Sequence, residues 1–208
     1  LGGKCCVIDT EQHSIRRYSR SFAPWDFDIL PLTDYGVDDY LKAIDECIEE
    51  RYDVIVVDTA TKLWGSKGGL CETAEEHAQN KPGTIQLGWN RAKNQAKRVI
   101  EEYAKAPCHL IYTFRSAGEY EKEGGKFKMV GERIDFAKGV EYESNVLVWM
   151  NVEHSARIDV RGSEPVDIVK PSLDDFKRIF ADFETGDNTN AVVFENPVNR
   201  VKTADVKD

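Results

Sequence analysis

Two carboxylates carry the strongest chemical signal in this sequence, because each closes a short apolar run: Glu11 ends "CCVIDTE" (5–11) and Asp58 ends "YDVIVVD" (52–58). In open α/β sheets, ligands gather beyond the carboxyl ends of the parallel strands, where loops and helix N-termini converge. Acids placed there can divide the labour of phosphoryl transfer. One holds Mg²⁺ against phosphate oxygens, and the other orients and deprotonates a water. Each residue taken singly has a plainer reading, Asp58 as a cap on the next turn and Glu11 as a solvated loop residue. A metal-dependent nuclease using Asp9, Glu11 and Asp58 is a further, weaker alternative.

The surrounding pattern predicts the scaffold such a pair needs. "CCVID" (5–9), "YDVIVVDTA" (52–60) and "CHLIYTF" (108–114) are continuous rather than alternating apolar runs, the pattern of strands covered on both faces in a parallel sheet. "FDILPL" (27–32) predicts another short strand. Val37, Tyr40, Leu41, Ile44 and Ile48 share one face of a helix expected from 37 to 50. Ile85, Trp89, Ala92, Ala96, Val99, Ile100 and Tyr103 do the same for a helix from 84 to 105. Strand and helix therefore alternate, which predicts an α/β fold with a mostly parallel sheet flanked by helices.

Beyond Arg115 the pattern changes. The charged, glycine-rich stretch 116–139 reads as a long loop or mobile hairpin. "NVLVWMNV" (145–152) and "ARIDV" (156–160) predict a C-terminal hairpin at the sheet's end. "SLDDFKRIFADF" (172–183) predicts a short amphipathic helix with Ser172 as N-cap, acids in its first turn, and Phe176, Ile179, Phe180 and Phe183 on one face. The polar residues 185–208 read as loop. The expected organisation is a core over 1–161 and a C-terminal extension over 162–208.

Composition narrows the function. A chain of 208 residues with 41% hydrophobic content can bury one core with a small appendage. Its 37 acidic and 28 basic residues give a net charge of -9, so any DNA contact must be local. No apolar stretch is long enough to span a membrane and no secretory signal is visible, so an intracellular protein without membrane attachment is expected. The five cysteines lack a CxxC pair; buried reduced thiols are the expectation. Cys71 with His77 makes at most half a zinc site, and zinc is not expected.

"CCVIDTE", a helix-containing crossover and "YDVIVVDTATKLW" together resemble the RecA-type ATPase core, specifically the phage-encoded RecA-like AAA ATPases related to single-strand annealing and recombination proteins. The resemblance covers roughly residues 3 to 161. It implies ATP and Mg²⁺ as cofactors, with Glu11 as the glutamate that activates the attacking water and Asp58 as the Walker B aspartate at the metal. Thr59 follows where the family carries a small hydroxyl residue beside the nucleotide. "CHLIYTFRS" (108–116) is similar to the next core strand, so Thr113 and Arg115 become candidate γ-phosphate sensors. The stretch 116–139 takes the place of a DNA-contacting loop, which makes Lys126, Lys128 and Arg133 candidate DNA contacts. Single-stranded DNA and a homo-oligomer are the implied partners, without a membrane, in the cytoplasm of a phage-infected or lysogenic bacterial host.

The G-x-x-x-x-G-K-[ST] phosphate loop of that family is absent here. "LGGK" (1–4) has the lysine without the glycine spacing and abuts a strand rather than opening a helix. The resemblance places the missing strand, loop and helix just upstream of Leu1. The alternative is a non-catalytic DNA-binding or assembly module of the same fold that has lost the loop.

Smaller signals carry their plain readings beside them. Trp64 reads equally as a base-stacking platform and a structural residue, whereas Trp89 reads as a core anchor. The basic residues of 116–139 are balanced by as many acids. "IRRYSR" (15–20) reads as a solvated helix face before a phosphate or subunit contact. Arg157 or Arg161 is positioned to reach a neighbouring subunit's nucleotide.

Overall fold

The computed structural model describes residues 3–12, 15–16, 18, 26–80 and 83–184. The basic run at 15–20 lies largely, and the tail from 185 wholly, outside the described residues. The chain divides into two units, residues 1–145 and 146–208.

In the first unit, strands β1 (Cys5–Asp9), β2 (Asp28–Pro31), β3 (Val54–Asp58) and β4 (His109–Tyr112) form a sheet of order β2-β1-β3-β4, every pair parallel. Parallel neighbours need crossovers. Helix α1 (Val37–Glu49) lies between β2 and β3, and α2 (Thr61–Gly65), α3 (Leu70–Asn80) and α4 (Ile85–Tyr103) lie between β3 and β4. The expected strands thus form, with trimmed ends. Ile8, Ile55 and Val57 are fully buried, and Val54 and Val7 on the alternate positions are buried too, so both faces of the central strands are covered. That coverage is why their sequences run apolar without alternation.

Helix α1 begins where the Gly36 N–H donates to Asp39 Oδ2 at 3.1 Å, with Asp38 and Asp39 in the first turn at the positive end of the helix dipole. Tyr40, Ala43, Ile44 and Cys47 bury one stripe of it. In α4 the buried stripe is Gly88, Ala92, Ala96, Val99, Ile100 and Tyr103. The α2 and α3 helices are absent from the sequence reading, because they are short and α3 buries only Leu70 and Ala74. Cys6 and Cys47 lie in the core, and the hydrogen bond between their thiols, together with burial, pushes the Cys47 thiol above its ordinary value.

The 116–139 stretch is a regular hairpin of β5 (Ser116–Glu123) and β6 (Lys126–Ile134), paired antiparallel. Its turn is Gly124-Gly125, with φ of 58° and 84°, the left-handed pair that a tight hairpin turn requires.

In the second unit, β7 (Val146–Met150), β8 (Ser155–Val160) and β9 (Val166–Val169) form an antiparallel sheet of order β7-β8-β9. The sequence reading has β7 and β8 at the end of the main sheet and omits β9; the three make a separate sheet. Helix α5 (Leu173–Glu184) follows. Its first turn is a reciprocal cap: Ser172 Oγ accepts the Asp175 N–H at 3.3 Å, and Asp175 Oδ2 accepts the Ser172 N–H at 2.9 Å. Phe176 and Ile179 pack with Ala156, Ile158 and Val160.

Candidate active site

The parallel register places Asp9 beside Asp58, so β1 and β3 end level and hand over to their loops together. Thr10 laces those ends. Its N–H donates to the Asp58 carbonyl at 2.8 Å, its Oγ1 accepts the Thr59 N–H at 2.7 Å, and the same hydroxyl donates to the Thr59 carbonyl at 3.0 Å. Tyrosines from α1 and the loop before it complete the lacing. Tyr40 donates its hydroxyl to the Thr59 carbonyl at 3.3 Å and Tyr35 to the Thr10 carbonyl at 3.1 Å. Burial pushes the Tyr40 phenol well above its ordinary value, so it stays a neutral donor.

Strand β4 supplies the third edge. The Thr113 N–H donates to the Val57 carbonyl at 3.1 Å, and the Ala60 N–H donates to the Thr113 carbonyl at 2.9 Å. Above this backbone ladder the side chains meet. Thr113 Oγ1 donates to Asp58 Oδ1 at 2.6 Å, and Arg115 Nη2 donates to Glu11 Oε1, also at 2.6 Å. The Arg115 amide is held by Thr61 Oγ1 at 2.9 Å. Glu11 is partly shielded, with 27% of its side chain exposed, while the Arg115 side chain is 57% exposed. Four of the expected site residues, Glu11, Asp58, Thr113 and Arg115, therefore converge as two bonded pairs at the carboxyl ends of β1, β3 and β4.

Other expected residues play different parts. Thr59, expected beside a nucleotide, is buried, and its hydroxyl donates to the Thr113 carbonyl at 2.7 Å. It braces β3 to β4. Asp9 is buried too and accepts the Glu11 N–H at 2.9 Å, so it shapes the turn that presents Glu11. This removes the third acid from the nuclease constellation. Trp64, weighed as a base platform, packs instead against Trp89 and Phe136 at centroid distances of 6.3 and 5.8 Å. The row continues through Phe114 and Tyr112 to Tyr103.

In the hairpin, Lys126 and Lys128 stand opposite Glu123 and Glu121, and Lys128 Nζ lies 3.4 Å from Glu123. Arg133 Nη1 donates to the Ile134 carbonyl at 3.2 Å. That face is thus nearly neutral. The other face pairs Tyr120 with Met129 and Lys122 with Phe127, leaving Tyr120, Phe127 and Met129 exposed. Sequence reasoning passed over these apolar residues because charge dominates the stretch; their alternation with charged neighbours was the available signal. Arg157 pairs with Asp167 across β8 and β9 at 3.7 Å.

The donor set suits Mg²⁺ held with phosphate. A Mg²⁺ site needs only one or two carboxylates when phosphates and waters complete the shell. Asp58 keeps its second oxygen outside the bond to Thr113, and no cluster of three His, Cys, Asp or Glu exists among the described residues to favour a closed protein cage.

A parallel sheet flanked by helices, with acids converging at its carboxyl ends, fits a P-loop-like nucleotide-binding domain. A family model described as an AAA domain matches residues 3–191, and the chain belongs to that family. AAA domains are in general ATPases that use ATP and Mg²⁺, which makes nucleotide binding the broad activity of this fold. Among curated proteins, none matches the chain. No helix among the described residues is long and apolar enough to cross a membrane.

Proposed function

We propose that this protein is a RecA-like ATPase that acts with single-stranded DNA in phage recombination or replication. The observation that carries the catalytic part is the coupling of Thr113 to Asp58 between neighbouring strand ends and of Arg115 to Glu11 across the strand between theirs. Mg²⁺, when bound, would supply charge neutralisation to the nucleotide's phosphates. Asp58 would hold the cation, and Thr113 fixes the rotamer of Asp58 through its hydroxyl. Glu11 orients a water and takes its proton. Arg115 positions Glu11 through its hydrogen bond, and its exposed guanidinium is also a donor that a phosphate oxygen can accept from. The reading requires a phosphate-gripping loop in addition to these residues.

DNA is assigned to the β5–β6 hairpin. Lys126, Lys128 and Arg133 offer phosphate contacts, and Tyr120 and Phe127 on the opposite face offer rings on which bases can stack. Both classes of contact tolerate any sequence.

The test is Glu11→Gln in the full-length protein. General-base catalysis is worth about 10²–10⁴ in rate, so turnover should fall by that factor while ATP affinity stays. Undiminished turnover would remove Glu11 from the mechanism. Single-strand affinity that persists with no turnover under any condition would favour the assembly-module alternative, with a log-log salt slope counting the phosphates neutralised.

A further inference from the structure

The α3–α4 pair borders space that the strand-end cluster does not use. Ala74, Gly88 and Ala92 are buried between these helices, and a Cβ on Gly88 would lie 2.8 Å from the Ala74 carbonyl oxygen. Backbones this close leave the longer side chains flanking the contact rather than filling it. A cavity of about 210 Å³ opens there, and an open groove of about 480 Å³ shares His77, Arg91 and Gln95 with it as walls.

Three features of that groove point to an anion. First, the His77 side chain lines both spaces, and its Nε2 has no hydrogen-bond partner among the described residues. Second, neither Arg91 nor Arg98 makes an ion pair or hydrogen bond among the described residues, although the chain carries a net charge of -9. Between Ile85 and Ile100, α4 has Arg91, Lys93, Lys97 and Arg98 and no acidic residue. Third, the wall is complementary along its length. Arg91, Asn94, Gln95 and Arg98 follow i, i+3, i+4, i+7 spacing and share one helix face, with the arginines about 10.5 Å apart along the axis. The wider groove has no carboxylate in its lining; Glu76 lines only the narrower cavity.

We propose that the α3–α4 groove is a binding site for a phosphate group, separate from the strand-end cluster and sharing no residue with it. Arg91 and Arg98 supply charge and forked donors, the Asn94 and Gln95 amides supply neutral donors, and the His77 imidazole forms part of the wall. The phosphate belongs either to a small phosphorylated ligand or to a nucleic-acid strand, and both present the same oxyanion.

Inorganic pyrophosphate titrated into the ¹⁵N-labelled full chain tests this at the His77 imidazole nitrogens. A saturable shift is expected, with affinity weakened about tenfold by Arg91→Ala or Arg98→Ala, the loss that follows from removing a charge-assisted hydrogen bond. Asp58→Asn should leave the shift in place. Circular dichroism confirms that each variant folds, and Arg98→Lys, which keeps the charge without the fork, should fall between wild type and Arg98→Ala. Absence of a saturable shift overturns the proposal, as does a shift that survives both arginine variants or vanishes in Asp58→Asn. An oligo-dT strand then separates the sources: competition with pyrophosphate for the His77 signal assigns the groove to a strand, and lack of competition assigns it to a small ligand.

Discussion

The parallel sheet of residues 1–145 and the antiparallel sheet of residues 146–208 handle polarity in opposite ways. In β1, positions Cys6 to Asp9 are buried in succession, whereas β8 alternates, with Ala156, Ile158 and Val160 buried and Arg157 and Asp159 exposed. A strand covered on both faces has no room for polar side chains along its length, so they collect at its end. A strand covered on one face distributes them along the other. Candidate chemistry sits in the first unit for this reason: Glu11, Asp58, Thr113 and Arg115 are forced to the same rim. In the second unit, Arg157 and Asp167 pair across an exposed face.

Mutations can break that contrast. Ile55→Ala removes a fully buried side chain from the central strand and should cost about 2–5 kcal/mol, read from urea unfolding of the first unit. A loss well under that range would mean that one face of β3 is not packed. Thr10→Val keeps the shape and deletes the hydroxyl that accepts the Thr59 N–H, leaving a buried donor unsatisfied at a cost of about 1–3 kcal/mol. Because Thr10 ties β1 to β3 at the rim, the same variant should also slow ATP turnover; a stability loss with full turnover would uncouple the lacing from the site.

Smaller effects should come from the second unit. Arg157→Ala breaks an exposed pair and should change stability by less than about 0.5 kcal/mol, measured by the same unfolding experiment. A larger loss would mean that this face is covered in solution. The smallest effect is pH-dependent. Hydrogen bonds from Ser172 hold the Asp175 carboxyl below its ordinary value. A depressed folded value means that the cap's contribution is full above the unfolded carboxylate range and fades as pH falls through the folded one. Asp175→Asn should therefore fray α5 at neutral pH and differ progressively less from wild type in acid, followed by helical circular dichroism.

Much of the scaffold was readable along the chain. The continuous runs at 5–9, 52–60 and 108–114 announce the strands Cys5–Asp9, Val54–Asp58 and His109–Tyr112, and the 3.6-residue spacing of Val37, Tyr40, Leu41, Ile44 and Ile48 announces α1. Glu11 and Asp58 were visible as acids at the ends of such runs. The α2 and α3 helices were not, since helices whose burial rests on two or so residues leave no periodic trace. The aromatic residues of the β5–β6 hairpin were hidden by the charges between them.

What the sequence determined by itself is what one segment's own pattern can encode: which runs are buried, with what period, and where a buried run stops at an acid. Only the tertiary structure decided who meets whom. The Arg115 guanidinium finds Glu11 across 104 residues because β4 lies beside β3 and β3 beside β1, a neighbour relation that no spacing records. Thr59 and Asp9, chemically as suited to a ligand as their neighbours, are turned inward to brace the strands. His77 and Arg91 come to line one groove because Gly88 lets two helix backbones close together. Burial and period are local properties of the chain, while pairing depends on the order in which strands and helices pack.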